Sequence, residues 1–174
     1  MDTIRVLQVA GFKNSGKTTL IRTLIAAAES QGLRTATVKH HGHGGTPALP
    51  DPETDSMKFF GDGAAASAVS GGGIIQLHLR EAETGPLPMI RLAAAVRPDL
   101  VLVEGFKQEP FEKIVLLRSR EDWQQLKDLP GIRLAVTETA KAHGAPEIIA
   151  REDTEAIRGW FGRWLKGGTG YVHL

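Results

Sequence analysis

The stretch that decides the fold is GFKNSGKT, which runs from Gly11 to Thr18 and matches the pattern G-x-x-x-x-G-K-[ST]. Its two glycines let the backbone wrap closely around a phosphate and point successive N–H groups inward. Its lysine can bridge the β- and γ-phosphates of a nucleotide, and its threonine hydroxyl can ligate Mg²⁺. We therefore predict a phosphate-binding loop that contacts nucleotide through Gly11, Lys13, Asn14, Ser15, Gly16, Lys17, Thr18 and Thr19.

The residues on either side of this loop provide the strand and the helix that the motif requires. Thr3 to Ala10 is short, mostly apolar and rich in β-branched residues, which predicts a strand. From Lys17 to Gln31 the apolar residues recur at helical spacing, and Gly32 follows where a left-handed residue ends a helix. Thr35 to Val38 predicts the next strand. A crossover of this length normally joins two parallel strands.

The rest of the chain alternates strand and helix patterns without an internal repeat or a long linker. The predicted strands are 66–69, 74–79, 100–103, 113–117 and 132–136, and the predicted helices are 55–60, 87–96 and 154–165. This order predicts a three-layer α/β fold of the P-loop NTPase type, with a mostly parallel sheet and helices on both faces. We expect one nucleotide-binding domain over residues 1–174, with a frayed tail from Gly167 to Leu174.

Composition narrows the class of protein. The chain has 174 residues, and 21 Lys and Arg against 20 Asp and Glu give a formal net charge of +1. This near-balance argues against nucleic-acid binding, which is marked by a strong basic excess. The lack of cysteine excludes thiol catalysis, Cys-ligated zinc and disulfides. No apolar run approaches the roughly 18 residues of a membrane helix, and the first strand begins too early for a signal peptide. We expect a cytoplasmic protein that binds neither nucleic acid nor membranes.

A P-loop site also needs a carboxylate near the phosphates, and the apolar strand Leu100 to Val103 has one at each end. Parallel sheets bind ligands beyond the carboxyl ends of their strands. Asp99 lies at the other end, about 16 Å away at 3.3 Å per residue. Glu104 is therefore the predicted catalytic carboxylate and, with the motif threonine, the predicted Mg²⁺ site. Gly105 would let a ligand approach closely. The alternative is a solvated glutamate at a strand end, which is less favoured beside a phosphate loop.

Polar residues also follow the second strand, at the same predicted edge of the sheet. Lys39 and His40 are predicted to contact phosphate or substrate. His40, His41 and His43 together raise the possibility of a transition-metal site, but neither cysteine nor helical spacing supports one. A solvated polar loop is the favoured interpretation of His41 and His43.

Two further polar residues are weaker candidates for contact with substrate or nucleotide. Asp55 follows a 14-residue segment, 40–53, whose length without helix or strand pattern favours a functional or mobile loop. Lys107 follows the strand that ends at the predicted carboxylate. Each of the two, taken alone, would be assigned to the surface.

The phosphate loop by itself is compatible with three classes of protein, namely NTPases, nucleotide-dependent kinases and switch proteins. Guanine-specific switch proteins usually carry Asn-Lys-x-Asp, a stretch that this sequence lacks. Small-molecule P-loop kinases usually carry a lid with arginines, and Arg118 with Arg120 is thin support for one.

Taken together, these motifs resemble the molybdopterin-guanine dinucleotide biosynthesis protein B (MobB) family. The resemblance rests on GFKNSGKTTL from Gly11, VKH from Val38, Thr-Asp-Ser from Thr54, DLVLVEGFK from Asp99 and KIVLLR from Lys113. Their order and spacing agree over nearly the whole chain. The chain departs from the family between His40 and Asp55, where a Gly- and Pro-rich run replaces a His- and Asp-rich stretch and Thr54 replaces a lysine.

The resemblance implies a GTP-binding adapter that assists a molybdenum cofactor guanylyltransferase in attaching GMP to molybdopterin. It also implies GTP and Mg²⁺ as ligands, a homodimer, and GTP hydrolysis so slow that the chain is at most a slow GTPase. The preference for GTP over ATP is implied by the resemblance alone. The residues themselves leave open an autonomous P-loop NTPase or small-molecule kinase.

Overall fold

The computed structural model describes residues 3–42, 45–80, 85–138 and 142–174. The chain divides into two compact units, one made of Met1–His40 and Gly85–Leu174 and the other of His41–Thr84. Its elements, in chain order, are β1 (Thr3–Gly11), α1 (Lys17–Glu29), β2 (Thr35–Lys39), α2 (Asp55–Gly61), β3 (Ala66–Gly71), β4 (Ile74–Leu79), α3 (Leu87–Ala94), β5 (Leu100–Glu104), β6 (Lys113–Leu117), α4 (Arg120–Leu126), β7 (Ile132–Thr137), β8 (Ile148–Ala150), α5 (Thr154–Lys166) and β9 (Tyr171–His173).

Seven strands of the first unit form one sheet in the order β2-β5-β1-β6-β7-β8, with β9 beside β1. All neighbours from β1 to β8 in this sheet run parallel, and β9 is antiparallel to β1. Because the carboxyl ends of parallel strands meet at one edge, the residues that follow β1, β2 and β5 lie at the same edge. The predicted α/β fold with a mostly parallel sheet is confirmed.

Helices cover both faces of this sheet, which is why its central strands carry apolar residues on both faces rather than alternating. On one face, Leu7 and Val9 of β1 belong to a core with α1 and α5. On the other face, Val6 packs in a cluster with α3 and Ala10 packs in a cluster with α4. In the part of the chain that the structure describes, no helix has the length and apolar character needed to cross a membrane.

The end of α1 confirms the predicted stop at Gly32. This glycine is left-handed, with φ 74°, and its N–H donates to the carbonyl of Glu29 at 2.9 Å. The N–H of Leu33 donates to the carbonyl of Ala28 at 3.1 Å. This pair of hydrogen bonds is the Schellman arrangement that satisfies the last carbonyls of a helix.

The prediction of a frayed tail from Gly167 to Leu174 is wrong. Tyr171–His173 form β9 along the first residues of β1, and the N–H of Val6 donates to the carbonyl of Gly170 at 2.8 Å. The partner strand β6 pairs with β1 only from Gln8 onward. The earlier residues of β1 therefore have an open edge on that side, and the tail completes it.

Besides β9, two short elements were not predicted, α4 and β8. Helix α4 has seven residues and is capped by Ser119, whose hydroxyl accepts the N–H of Asp122 at 3.3 Å. Strand β8 has three residues and extends the sheet beyond β7. Elements of this length carry too few periodic positions for a pattern to show.

The second unit contains α2 and the hairpin β3–β4. The hairpin turns at Gly72 and Gly73, with φ 56° and 79°, the two positive angles that a tight hairpin turn requires. The hydroxyl of Ser67 donates to the carbonyl of Ser56 at 2.7 Å and ties the hairpin to α2. Large apolar side chains of the hairpin are exposed, namely Val69, Ile74, Ile75, Leu77 and Leu79.

Candidate functional site

The phosphate loop joins β1 to α1, and its backbone takes conformations that suit the residues in the motif. Gly16 has φ 89° and Asn14 has φ 59°, the left-handed region that asparagine tolerates better than most residues. A Cβ built on Gly11 would lie 2.6 Å from the Oγ of Ser15 and 2.9 Å from the carbonyl oxygen of Leu116. No larger residue fits at position 11 without a shift of the loop.

Lys17 and Ser15 bring polar groups to the inside of this loop. The Lys17 ammonium donates to the carbonyl of Phe12 at 2.7 Å, and the buried Ser15 hydroxyl has no hydrogen-bond partner among the described residues. Burial lowers the pKa of Lys17, although the Glu104 carboxylate acts in the opposite direction. Three nearby cations lower it further: Lys107, Lys39 and Arg118. The loop is therefore a positively charged site, as a phosphate group requires.

Glu104 lies at the carboxyl end of β5, where the sequence places the predicted carboxylate. In the sheet it is in register with Val9 of β1 and with Lys39 of β2. Its carboxylate accepts the Thr18 hydroxyl at 3.4 Å and pairs with the Lys39 ammonium at 3.3 Å. Hydroxyl and carboxylate oxygens are the ligands that Mg²⁺ prefers. Thr18 and Glu104 therefore fit that ion.

The residue after this carboxylate makes a tight contact with the end of β2. Gly105 has φ 91°, and a Cβ there would lie 2.8 Å from the Cβ of His40. The His40 ring stacks on Phe106 with centroids 4.6 Å apart, and the His40 N–H donates to the carbonyl of Glu104 at 2.9 Å. The absence of a side chain at Gly105 thus makes room for His40. The group that approaches this glycine closely in the structure is the His40 side chain.

Two cations lie near the ring of Phe12, the second residue of the motif. The Lys107 ammonium is 4.3 Å from the centroid of its ring, and the Arg118 guanidinium carbon is 5.7 Å from it. Arg118 also donates to the carbonyl of Lys13 at 3.0 Å and forms an ion pair with Asp122 at 2.8 Å. That arginine is thus tied to the phosphate loop, and the ring orients both cations beside it.

Two buried polar residues hold the segment that follows β5. The Gln8 side-chain amide donates to the carbonyls of Gly105 and Phe106, each at 2.6 Å. The fully buried Lys113 ammonium donates to the carbonyls of Lys107 and Glu109 at 2.9 and 2.6 Å. The backbone of this segment is therefore fixed at four carbonyls from the neighbouring strands β1 and β6.

With this geometry in place, the chain can be compared with known proteins. A family model described as "Molybdopterin guanine dinucleotide synthesis protein B" matches residues 6–138. The chain belongs to the MobB family. A relative from Bacillus subtilis, named "Probable molybdopterin-guanine dinucleotide biosynthesis adapter protein", is 38% identical over 122 residues, 70% of each chain. The "Molybdopterin-guanine dinucleotide biosynthesis adapter protein" of Escherichia coli is 35% identical over 118 residues, 66% of each chain. The crystal structure of a MobB protein homologue from Bacillus stearothermophilus is 37% identical with a TM-score of 0.76, covering 93% of this chain and 98% of that one.

Some predicted residues do not belong to the first unit or to the described residues. Asp55 is exposed at the start of α2 in the second unit, and its role stays a prediction. His43 lies outside the described residues. Across the described ranges, no group of three or more His, Cys, Asp or Glu side chains could hold a metal ion.

Gln8 and Lys113 are residues of the candidate site that sequence reasoning missed. Lys113 is the one polar residue of β6, Gln8 lies in the apolar run Val6–Ala10 of β1, and both are buried without exposure to solvent. A buried polar side chain needs hydrogen-bond partners. Such a residue therefore indicates a nearby stretch of backbone whose carbonyls have no other donor. That signal is readable in the sequence, but the partner segment is not.

Proposed function

We propose that this MobB chain is a GTP-binding adapter in molybdopterin-guanine dinucleotide biosynthesis, which acts with a guanylyltransferase that attaches GMP to molybdopterin. Family membership supports the adapter role, since the relatives from Bacillus subtilis and Escherichia coli carry that name. The nucleotide is proposed to bind with Mg²⁺ at the phosphate loop of the first unit. Residues 1–174 are proposed to serve as one nucleotide-binding domain.

The observation that carries the nucleotide part of this proposal is the contact between Thr18 and Glu104 at 3.4 Å. In this contact the hydroxyl of Thr18, the last motif residue and the neighbour of Lys17 in the sequence, meets the carboxylate of Glu104. In P-loop proteins a hydroxyl at this position and a carboxylate on a neighbouring strand hold the metal that bridges the phosphates. When bound, Mg²⁺ would neutralise charge on the phosphate oxygens.

Each residue around this contact has a proposed task. The loop backbone and Lys17 bind the phosphates, the Ser15 hydroxyl is free to donate to a phosphate oxygen, and Lys39 and Lys107 add positive charge. Glu104 holds the metal hydration shell or orients the attacking water in slow hydrolysis. Substrate or nucleotide contacts are proposed further for His40, Asp55 and Gly105.

The experiment that tests this proposal is calorimetric titration of the full chain with GTP and with ATP, with and without Mg²⁺. We expect Mg²⁺-dependent binding of GTP and weaker binding of ATP. The titration and a hydrolysis assay are then repeated with a molybdenum cofactor guanylyltransferase present. Slow GTP hydrolysis by the chain alone, together with an effect on the guanylyltransferase reaction when the partner is present, supports the adapter role. Fast turnover without the partner supports an autonomous NTPase or kinase instead.

We also propose a homodimer. The exposed apolar side chains of the β3–β4 hairpin support it, because a two-stranded hairpin is marginal in water and its apolar surface favours burial against a second copy. Light scattering at micromolar concentration is expected to give a dimer. Ile74→Asp with Ile75→Asp is expected to give a folded monomer, since these side chains are 72% and 75% exposed. A monomeric native chain contradicts this proposal.

A further inference from the structure

Arg118 lies just after β6, on the side of the phosphate loop opposite to Glu104. Strand β1 lies between β5, which ends at Glu104, and β6. Gly11, the last residue of β1, is in register with Leu116 of β6. Arg118 follows two residues after Leu116, and its Nη1 donates to the carbonyl of Lys13 at 3.0 Å. The loop therefore has a carboxylate beyond its neighbouring strand on one side and a guanidinium beyond its neighbouring strand on the other.

Asp122 fixes the orientation of the Arg118 guanidinium. The Arg118 Nε and Nη2 atoms donate to the two oxygens of the Asp122 carboxylate at 2.8 and 2.9 Å, which makes the pair bidentate. The buried carboxylate also accepts the backbone N–H of Arg118 at 3.0 Å. The side-chain hydrogen bonds from Arg118 hold the pKa of Asp122 below its usual range. Asp122 is therefore ionised at neutral pH and keeps the arginine in one place.

The Arg118 guanidinium keeps donors for a ligand after these contacts are made. Each Nη atom of an arginine carries two N–H groups. Nη1 uses one of them for Lys13 and Nη2 uses one for Asp122, and the others have no acceptor among the described residues. The side chain of Arg118 is 44% exposed, whereas that of Asp122 is 6% exposed. A guanidinium held by a carboxylate on one side and open to solvent on the other is suited to bind a phosphate.

The charges around Arg118 also favour an anion at this point. Burial is the main cause that lowers the pKa of Lys17, and the charges of Lys107 and Arg118 lower it as well. The ring of Phe12 has both cations near it, with the Lys107 ammonium 4.3 Å and the Arg118 guanidinium carbon 5.7 Å from its centroid. Like charges gathered in this way repel one another, and an anion among them removes that cost.

We propose that Arg118 contacts the terminal phosphate of a bound nucleoside triphosphate and thereby makes the site prefer GTP over GDP. The inference rests on the proposed nucleotide binding at the phosphate loop. In such loops the backbone holds the inner phosphates, and the motif lysine and the metal reach the terminal one. Arg118 meets the loop at Lys13, on the side away from Glu104 and the proposed metal. The terminal phosphate then has Mg²⁺ on one side and the guanidinium on the other.

The test is calorimetric titration of the full chain with GTP and with GDP, each in the presence of Mg²⁺. Arg118→Ala is expected to weaken GTP binding about 10- to 100-fold, the range of a hydrogen bond to a charged group. GDP binding is expected to stay at the native value, because GDP lacks the phosphate that Arg118 is proposed to contact. The preference for GTP over GDP therefore falls by the same factor.

A second variant is needed because Arg118→Ala leaves the buried Asp122 without its partner. Arg118→Lys keeps a positive charge beside Asp122 but lacks the planar fork that reaches a carboxylate and a phosphate together. A selective loss of GTP binding is expected in this variant too. Arg120→Ala is the matched control, since it removes the same charge from an exposed position two residues away. Both affinities are expected to be native in the control, and circular dichroism checks the fold of each variant.

The outcomes separate the terminal-phosphate contact from the phosphate loop. Equal losses for GTP and GDP, or native GTP binding in the folded variants of Arg118, overturn the contact and leave the phosphate loop standing. If Arg118→Ala does not fold, Arg118→Lys decides by the same criteria. A native chain that binds neither GTP nor GDP contradicts the proposed function itself, and the contact with it.

Discussion

Thr18 and Glu104 stand 86 residues apart in the sequence and meet at 3.4 Å, where α1 begins and β5 ends. The contact exists because β1 and β5 are neighbouring parallel strands, with Val9 in register with Glu104. A hydroxyl at the start of the helix and a carboxylate at the end of the strand thus face the same point. This arrangement makes separate predictions for phosphate binding, for metal binding and for hydrolysis.

We expect Glu104→Gln to slow GTP hydrolysis about 10- to 1000-fold, the range of a positioned acid–base group. The amide keeps the size and hydrogen bonding of the side chain but removes its charge. GTP binding should survive, because Lys17 and the loop backbone hold the phosphates. Single-turnover hydrolysis and calorimetry measure the two effects.

The control for that variant is Asp99→Asn at the other end of β5, where the Asp99 carboxylate accepts the N–H of Arg34 at 2.6 Å. It is expected to hydrolyse GTP at the native rate. Native hydrolysis in Glu104→Gln together with a defect in Asp55→Asn would show that the wrong carboxylate was chosen. If the guanylyltransferase reaction continues while hydrolysis is lost, hydrolysis is incidental and the protein acts as an adapter.

Thr18→Ala is expected to lower the affinity for GTP more in the presence of Mg²⁺ than in its absence. The substitution removes the hydroxyl that would ligate the ion and keeps the loop backbone. Calorimetric titrations with and without Mg²⁺ measure the difference, and Ser30→Ala, which removes an exposed hydroxyl at the far end of the same helix, is the control. A native Mg²⁺ response in Thr18→Ala would mean that other groups hold the metal.

Lys17→Ala is expected to lower nucleotide affinity by about 2 kcal/mol, or roughly 30-fold, the contribution of a charged hydrogen bond to a phosphate. The loss should be the same for GTP and for inorganic triphosphate, because the phosphates are the only part of the nucleotide that the ammonium is proposed to contact. Circular dichroism checks that the variant is folded, and Lys127→Ala on the surface is the control. Native affinity in a folded Lys17→Ala chain would overturn the phosphate-loop assignment.

The sequence sufficed to place the motif, Lys39 and Glu104 at one edge of the sheet, because that placement depends on local patterns and one rule of topology. The motif from Gly11 to Thr18 lies between a strand and a helix, as predicted. Glu104 could be chosen over Asp99 because parallel strands present their carboxyl ends at one edge. The contact with Lys39 follows from the same rule.

What could not be predicted depends on pairings between distant segments. The strand β9 was missed because Tyr171–His173 are few and mostly exposed, and only the open edge of β1 makes them a strand. The partners of Gln8 and Lys113 are backbone carbonyls, which leave no mark in the sequence. Arg151 lies beyond the motifs and reaches the phosphate loop only through the placement of β8.

Lys113 makes a prediction about stability and pH. Burial lowers the pKa of its ammonium from 10.5 to about 8, although Glu109 acts in the opposite direction. Between pH 8 and 10.5 the unfolded chain keeps a proton on this lysine that the folded chain has lost. The free energy of unfolding should therefore rise with pH across that window. Below pH 8 the lysine is protonated in both states, so it causes no change of the free energy of unfolding with pH.

Urea denaturation of the native chain and of Lys113→Met, at matched pH values from about 7 to 10, measures this effect by difference. The stability of the native chain relative to the variant should increase as the pH rises above about 8. Lys166→Met, which changes an exposed lysine of α5, is the control and should show a constant difference. A constant difference for Lys113→Met would mean that its ammonium stays charged in the fold.

The last prediction concerns Gln8, which links the centre of the sheet to the residues after Glu104. Gln8→Met keeps the length of the side chain but leaves the carbonyls of Gly105 and Phe106 without their donor. We expect a loss of about 1 to 3 kcal/mol in the free energy of unfolding, the cost of unsatisfied buried groups. Urea denaturation measures it, and Gln124→Met on the exposed face of α4 is the control.

The same variant should also affect the chemistry, because these two carbonyls follow directly on the carboxylate. GTP hydrolysis is expected to fall while the affinity for inorganic triphosphate stays native, since the Gln8 amide donates to Gly105 and Phe106 and not to Lys17 or the loop backbone. A stability loss with native hydrolysis would show that Gln8 supports the fold alone. A loss of both affinity and hydrolysis would instead show that the segment after β5 and the phosphate loop shift together, because β1 carries Gln8 and leads directly into that loop.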